Sequence, residues 1–322
     1  MKPKKIGILT SGGDAPGMNA AIRAVVRTAY YNEIEVIGIK KGYEGLLTGD
    51  ITEMKPKSVS DILHRGGTIL RTARCPEMMT EAGVERAAML VKALAMDALV
   101  VIGGDGSLKG ALALSRLGVN AFGIPGTIDL DLDCTEYTIG FDTAVNTAID
   151  AITKIRDTSS SHERCSIVEV MGRNAAHIAL WCGVAGGAEV VLISDAHDNS
   201  SEMVINQILR NRSLGKNHNL IIVAESVGGS GKLAREIERV TGIETRATIL
   251  GYLQRGGTPT AVDRIHASVM GFTAVEAMLA GNRNRVVIYK HGGYEHIDLE
   301  EALSIKKPFD RSLYNVMKTL AV

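Results

Sequence analysis

VVIGGDGSLKGALAL, residues 100–114, begins as an unbroken apolar run and ends as a helix-period segment, with Gly103, Gly104, Asp105, Gly106 and Ser107 between the two. An apolar run without alternation suits a strand buried on both faces, as in a parallel sheet, and a glycine turn into a helix makes it a βα unit. Ser107 is placed to cap that helix. An acid at a strand end beside glycine amides suits a nucleotide phosphate chain carrying Mg2+, because amides hold the oxygens and the carboxylate holds the metal. The competing reading is an ordinary βα turn with a solvated Asp.

The pattern repeats in both directions from there. KIGILT from Lys5, EVIGIK from Glu35, DALVVIGG from Asp97, AFGIPG from Ala121, SIVEVMG from Ser166, AEVVLIS from Ala188, NLIIVAES from Asn219 and RVVIYK from Arg285 are strand-like runs. Most are separated by segments with apolar residues three and four apart, such as GMNAAIRAVVRTAYY and TAVNTAIDAITKIRD. Strand alternating with helix predicts an α/β fold with mostly parallel sheets, ligands gathering beyond the carboxyl ends of the strands. A length of 322 residues allows one large core or two medium ones, and two domains are expected.

Bulk properties narrow the function. The chain has 36 basic and 36 acidic residues, and no global field recommends nucleic acid or an anionic membrane as partner. At 4% aromatic content there is no platform on which bases could stack. The apolar run near the N-terminus is too short for a signal peptide or a membrane span, so a soluble, cytoplasmic protein is expected. Cys75, Cys134, Cys165 and Cys182 lie far apart, with no C-x-x-C pair, and read as reduced thiols.

Two further stretches carry chemistry. In ILTSGGDAPGMNAAIRAVVR a strand stops at Thr10 and a loop of Gly12, Gly13, Asp14, Pro16 and Gly17 leads into a helix, so backbone N–H groups can approach a phosphate. It is not a Walker A loop, since G-K-S/T is absent. In PGTIDLDLDC, residues 125–134, Asp129, Asp131 and Asp133 alternate with Ile128, Leu130 and Leu132. Alternation is the strand period and predicts an extended segment with carboxylates on one face and apolar residues on the other. An acidic edge strand and a set of carboxylates gathered for a metal or a proton transfer both fit.

SGGDAPGMNAAIR, HRGGTILRTARCPE, VVIGGDGS, PGTIDLD, IRDTSSSHER, VEVMGR, AGGAE and LQRGGTP occur in the order and approximate spacing found in bacterial ATP-dependent 6-phosphofructokinases, and through nearly the whole chain the sequence resembles that family. The resemblance implies two three-layer α/β domains with mostly parallel sheets and a cleft between them. One is an ATP-binding domain of residues 1–140 plus 254–304, the other a sugar-phosphate-binding domain of 141–253 plus 305–322. It implies that Gly13, Arg74, Cys75, Asp105, Gly106 and Ser107 contact ATP, with Asp105 serving Mg2+. It implies that Thr127, Asp129 and Asp131 face fructose 6-phosphate, Asp129 as general base and Arg74 with Arg173 stabilising the phosphoryl group in transit. Met171, Gly172, Arg173, Glu225, Tyr252 and Arg255 are implied sugar-phosphate residues, with Arg164 and Arg246 arriving from a neighbour, hence a homo-oligomer, in this family a tetramer. Arg23, Arg27, Arg156, Gly187, Glu189, Gly215 and Lys216 match positions where ADP or phosphoenolpyruvate acts as effector. Arg23 and Arg27, four apart on one helix face, would otherwise be a solvated basic stripe.

Pyrophosphate-using members resemble GGDD and PKTID at two of these loops, where this chain has Gly106 and Gly126, so ATP is the expected donor. The chain departs from the family's pattern at Leu130, usually Asn, at Tyr252, usually His, and at Ala176–His177, usually Gly-Asp. Arg71 replaces a residue that is commonly Tyr, and Pro56 and Leu214 stand where the effector site is often basic. The departures on the sugar side keep two other readings in play: a kinase for a related ketose phosphate such as tagatose 6-phosphate, and a catalytically weak nucleotide-binding regulatory paralogue.

Overall fold

Val- and Ile-rich runs form the sheets, and helices with one apolar stripe cover them. The structure is a computed structural model describing residues 2–195 and 199–321. The chain divides into two units, residues 1–143 with 255–307 and residues 144–254 with 308–322.

The first unit is built on a seven-stranded sheet. Its strands are β1 (Lys5–Ser11), β2 (Glu35–Ile39), β3 (Ile51–Met54), β4 (Ala98–Gly103), β5 (Ala121–Pro125), β10 (Arg285–Lys290) and β11 (Gly293–Asp298), in the order β11-β10-β5-β4-β1-β2-β3. All neighbours pair in parallel except β2 with β3 and β10 with β11, which close the two edges as antiparallel strands. Leu9, Leu99, Val101, Ala121, Val286 and Ile288 pack under α2 (Gly42–Thr48), α3 (Glu81–Ala93), α4 (Asp105–Arg116) and α10 (Leu299–Ser304). Residues of the other parity, Ile8, Val100, Ile102, Phe122 and Ile124, are equally buried, as a strand covered on both faces requires. Their cover is α1 (Met18–Tyr31) and α9 (Ala261–Leu279), which pack on each other. Gly271 of α9 makes that approach close, since a Cβ there would lie 2.8 Å from the Ala21 carbonyl oxygen.

The second unit carries a four-stranded, all-parallel sheet, β7-β8-β6-β9, from β6 (Cys165–Val170), β7 (Val190–Leu192), β8 (Asn219–Ala224) and β9 (Thr245–Ile249). Cys165, Ile167, Ile221 and Val223 pack with α7 (Ser201–Ser213) and α8 (Ser230–Thr241) on one face. On the other lies α6 (His177–Gly186), where Gly183 abuts Val191 and Gly186 abuts Ile152 of α5 (Phe141–Ser161), and α11 (Ser312–Leu320) packs on α6. The α/β class with mostly parallel sheets is therefore as expected. Strands β3, β9 and β11 were not expected: β9 is an edge with Arg246–Ile249 exposed, too polar to read as a run.

Two local expectations are corrected. Helix α4 starts at Asp105 with Gly104 as its N-cap, so Ser107 lies inside the first turn instead of capping it. Residues 127–134 form no strand. Leu130 adopts a left-handed conformation, φ 54°, which breaks the alternation, and Asp129 is buried with Ile128 and Leu132 instead of facing water.

Candidate active site

In the first unit, register places the site. Ser11 pairs with Gly103 and Gly103 with Pro125, so β1, β4 and β5, adjacent and parallel, end level. The three loops that follow them leave one edge of the sheet, the edge at which α/β sheets bind ligands. These are the three chemistry-bearing stretches of the sequence. Gly103 lets them close up, since its Cβ would lie 2.6 Å from the Ser11 carbonyl oxygen and 2.5 Å from Ser107 Oγ.

The first loop turns at Gly12, φ 84°, and Gly17, φ 106°, a region costly to any side chain. The Arg255 guanidinium lies directly on it: Nη1 donates to the Asp14 carbonyl at 3.2 Å and would sit 1.9 Å from a Cβ on Gly13. Arg255, implied for the sugar phosphate, is thus brought onto the loop implied for the nucleotide. The Arg74 segment is stitched to the same loop. Thr10 Oγ1 donates to the Arg71 carbonyl at 2.8 Å and Thr72 Oγ1 to the Gly12 carbonyl at 2.7 Å. Buried Asn19 donates to the Arg65 and Gly66 carbonyls and accepts from the Ile69 amide. Asn19 was not among the sequence candidates, and an Asn one residue into an apolar helix was the available signal. Arg71 and Arg74 are exposed, and Cys75 is half-buried.

Asp105 opens α4, where the helix dipole favours negative charge, and Lys109 one turn later holds its Oδ2 at 2.7 Å. No cluster of three acidic, His or Cys ligands occurs among the described residues. A single carboxylate beside glycine amides fits a cation that arrives on nucleotide phosphates and takes few ligands from protein. Gly106 opens onto free space, as room for a bulky donor requires, whereas a side chain at Gly126 would meet Ile102, Met18 and the Gly103 amide.

In the third loop the Asp129 amide donates to Thr127 Oγ1 at 3.2 Å, and Asp129 is only 3% exposed. Asp131 and Asp133 are half-buried. A Leu in the left-handed region costs about 1–2 kcal/mol. Leu130→Asn, supplying a residue that tolerates this backbone, is expected to raise stability by about 1 kcal/mol in denaturant unfolding, and an unchanged midpoint would refute the strain.

In the second unit, β6, β8 and β9 also end level, Val170 pairing with Ala224 and Glu169 with Ile249. Beyond them Glu225 Oε1 accepts from the Gly172 amide at 3.2 Å and the Arg173 amide at 2.6 Å, and Gln254 Oε1 accepts from the Met171 amide at 2.8 Å. Glu225 and Gln254 therefore shape the turn, in which Gly172 and Arg173 both have positive φ. Gln254, wholly buried, was not singled out in the sequence. Tyr252 is 82% exposed on the short turn Gly251–Arg255. Ala176 is buried and caps α6, with His177 half-buried behind it.

Arg164 and Arg246 lie elsewhere. They share Glu244, through Arg164 Nε at 2.7 Å and Arg246 Nη2 at 2.6 Å, and these hydrogen bonds hold the Glu244 carboxyl below its ordinary range. All three stand at the amino end of β6 and β9, roughly 20 Å along the strand from Met171–Arg173. Among the effector candidates, Lys216 Nζ pairs with buried Glu189 Oε1 at 2.6 Å, while Glu189 Oε2 accepts from the Leu220 amide. Arg156 donates to the Gly186 carbonyl against Gly187, and Gly215 turns with φ 84°. In the first unit, burial and then the neighbouring Arg27 charge lower the Arg23 guanidinium from its ordinary value, so the two cations face each other on α1.

The phosphofructokinase family model matches residues 5–278. A Clostridium botulinum protein named ATP-dependent 6-phosphofructokinase is 57% identical over 318 residues, 99% of each chain. The phosphofructokinase structure from Saccharomyces cerevisiae superposes with TM-score 0.86 at 33% identity, covering 99% of this chain and 48% of that one. A pyrophosphate-dependent phosphofructokinase from Marinobacter aquaeolei, 23% identical, shares the fold with TM-score 0.85 over 96% of this chain and 86% of its own.

Proposed function

Because the chain belongs to the phosphofructokinase family, we propose that it transfers the γ-phosphoryl group of ATP to the 1-hydroxyl of fructose 6-phosphate, releasing ADP and fructose 1,6-bisphosphate, the committed step of glycolysis. The observation that carries this reading is the level ending of β1, β4 and β5, which puts the Gly12–Gly13 turn, Asp105 and Asp129 on one edge. The sugar oxygen forms its bond to phosphorus as the bond to ADP breaks, and Asp129 accepts the hydroxyl proton. Glycine amides and the α4 N-terminus bind the donor phosphates, and Arg74 and Arg173 oppose the charge carried by the phosphoryl group. Asp105 is the residue that would hold Mg2+, which when bound supplies positive charge to the phosphate oxygens. Open space at Gly106 supports ATP over pyrophosphate as donor, a choice the shared fold leaves open.

A homo-oligomer is the assembly this reading requires, a tetramer by resemblance to the family. With Arg164 and Arg246 at the far end of the sheet from Arg173, a sugar-phosphate site using all of them needs a second chain. The exposed β9 edge, with Ile249 64% exposed, and Leu253, 68% exposed on the turn after it, are surface that a partner would cover. The Lys216–Glu189 pair and the Arg156–Gly187 turn support a regulatory anion site for ADP or phosphoenolpyruvate. No described helix is long and apolar enough to cross a membrane. The four unbridged cysteines suit a reducing cytoplasm.

The test is steady-state ADP release from Mg·ATP, with fructose 6-phosphate, tagatose 6-phosphate or no sugar, and with pyrophosphate as alternative donor. The expected result is turnover that depends on fructose 6-phosphate and fails with pyrophosphate. Preference for tagatose 6-phosphate would reassign the acceptor, and tight ATP binding without turnover would make the chain a regulatory paralogue.

A further inference from the structure

We infer that Asp263 and Thr138 are positioning residues that hold the proposed base Asp129 in place, an inference that rests on reading Asp129 as the base. Asp263, in the first turn of α9, is fully buried, yet it belongs to none of the chemistry-bearing loops. Its Oδ1 accepts from the Tyr137 hydroxyl at 2.7 Å and the Gly140 amide at 2.6 Å, and its Oδ2 from the amide of Thr143 at 2.8 Å and from that residue's hydroxyl. Four donors converge on one carboxylate from a single short segment, residues 137–143. Burying an ionisable group is costly, and burial raises this carboxyl from its ordinary value despite the hydrogen bonds that pull the other way. Such a group is retained where something needs to be held.

The held segment reaches the catalytic loop directly. Between Tyr137 and Gly140, the buried Thr138 hydroxyl donates to the Thr127 carbonyl at 2.7 Å, and the Ile139 amide donates to the Pro125 carbonyl at 3.0 Å, extending β5 by a bridge from Gly126 to Ile139. Thr127 in turn accepts the Asp129 amide on its own side-chain oxygen. The path from Asp263 to Asp129 thus runs through Tyr137–Thr143, Thr138 and Thr127. The far end of the loop is fixed separately, where the Thr135 hydroxyl donates to the Tyr289 carbonyl and the Glu136 amide to the same oxygen. Tyr137 is kept in place by stacking on His266, centroids 3.8 Å apart, whose Nδ1 lies 3.0 Å from the Tyr294 hydroxyl. The loop carrying Asp129 has no strand ladder of its own, and Leu130 holds a strained backbone, so tethers at both ends help fix the course of the backbone that carries the carboxylate.

Thr138→Val in the full chain removes the tether at nearly constant volume. The expected result is a kcat lower by about 10- to 100-fold, as for a displaced catalytic group, with KM for Mg·ATP and for fructose 6-phosphate within about twofold of wild type. Thr138→Ser, which keeps the hydroxyl, is expected to restore kcat, and Tyr137→Phe, which weakens the Asp263 anchor without touching Thr127, to lower kcat by less than Thr138→Val. Wild-type kcat in Thr138→Val overturns the inference. So does a Ser variant as impaired as the Val variant, or a loss confined to KM and melting temperature. Asp129→Ser is measured beside them: near-wild-type turnover there sinks the base reading itself, whereas an inactive Asp129→Ser with an unimpaired Thr138→Val sinks only the tether.

Discussion

Asp129→Ser should lower kcat by about 10²- to 10⁴-fold while leaving KM for Mg·ATP near its original value. The proton of the sugar hydroxyl has to leave as the oxygen attacks phosphorus, and serine cannot accept it near neutral pH. The nucleotide would rest on the loops after β1 and β4, which this substitution does not touch. The loss should therefore fall on turnover. Asp129 is small, buried and outside any strand, so replacement by another small polar residue leaves the β4–β5 ladder, in which Gly103 pairs with Pro125, intact. The same change at half-buried Asp131, read as positioning the sugar, should raise KM for fructose 6-phosphate more than it lowers kcat. Steady-state kinetics over both substrates, with circular dichroism to confirm folding, decides the matter. Turnover close to wild type in the Asp129 variant would remove it from the chemistry.

Gly103→Val is the second large effect, and it acts on stability and binding together. A Cβ at 103 would stand 2.6 Å from the Ser11 carbonyl oxygen, inside the β1–β4 ladder, and 2.6 Å from Ser107 Cβ. Backbone cannot yield there without parting two central strands. The expected cost is about 3 kcal/mol, the upper end for overpacking a tight core. For a unit of this size that corresponds to a fall in melting temperature of about 6–12 °C. Because Ser11 and Ser107 flank the proposed phosphate cradle, nucleotide affinity should fall as well, measured by calorimetric titration of Mg·ATP. A variant that melts and binds like wild type would show that the loops do not need to meet this closely.

The long, uniformly apolar strands were readable in the sequence because burial on both faces demands unbroken Val and Ile, as in β4 and β8. Three of the four edges were not: β3, β9 and β11 are short or half exposed, and their sequences carry no such demand, whereas the buried edge β7 was read. The Asp129 loop misled because alternation of acid and apolar residues imitates a strand. Leu130 in a left-handed conformation cancels the pattern, and φ leaves no mark on a Leu. Asp105 and Gly13 were singled out through glycines and a charge next to strand ends, whereas the Met171–Arg173 turn was pointed to only by resemblance to the family. Asn19, Gln254 and Asp263 were not, because each is a polar residue whose partners lie far along the chain, and distance in sequence hides the hydrogen bonds that give it purpose.

The alternation of the two units along the sequence decides the order in which the molecule can be made. During synthesis the first sheet must wait with β5 as a bare edge until β10 emerges more than a hundred residues later, and the face of α1 meant for α9 waits with it. The other unit is no better placed, since α11, which covers α6, is made only after α10 of the first unit. Neither unit is finished before its late segment, 255–307 for the first and 308–322 for the second, has been made. A stalled nascent chain therefore presents an unpaired strand edge and an uncovered apolar helix, the features by which chaperones and proteases recognise unfinished protein.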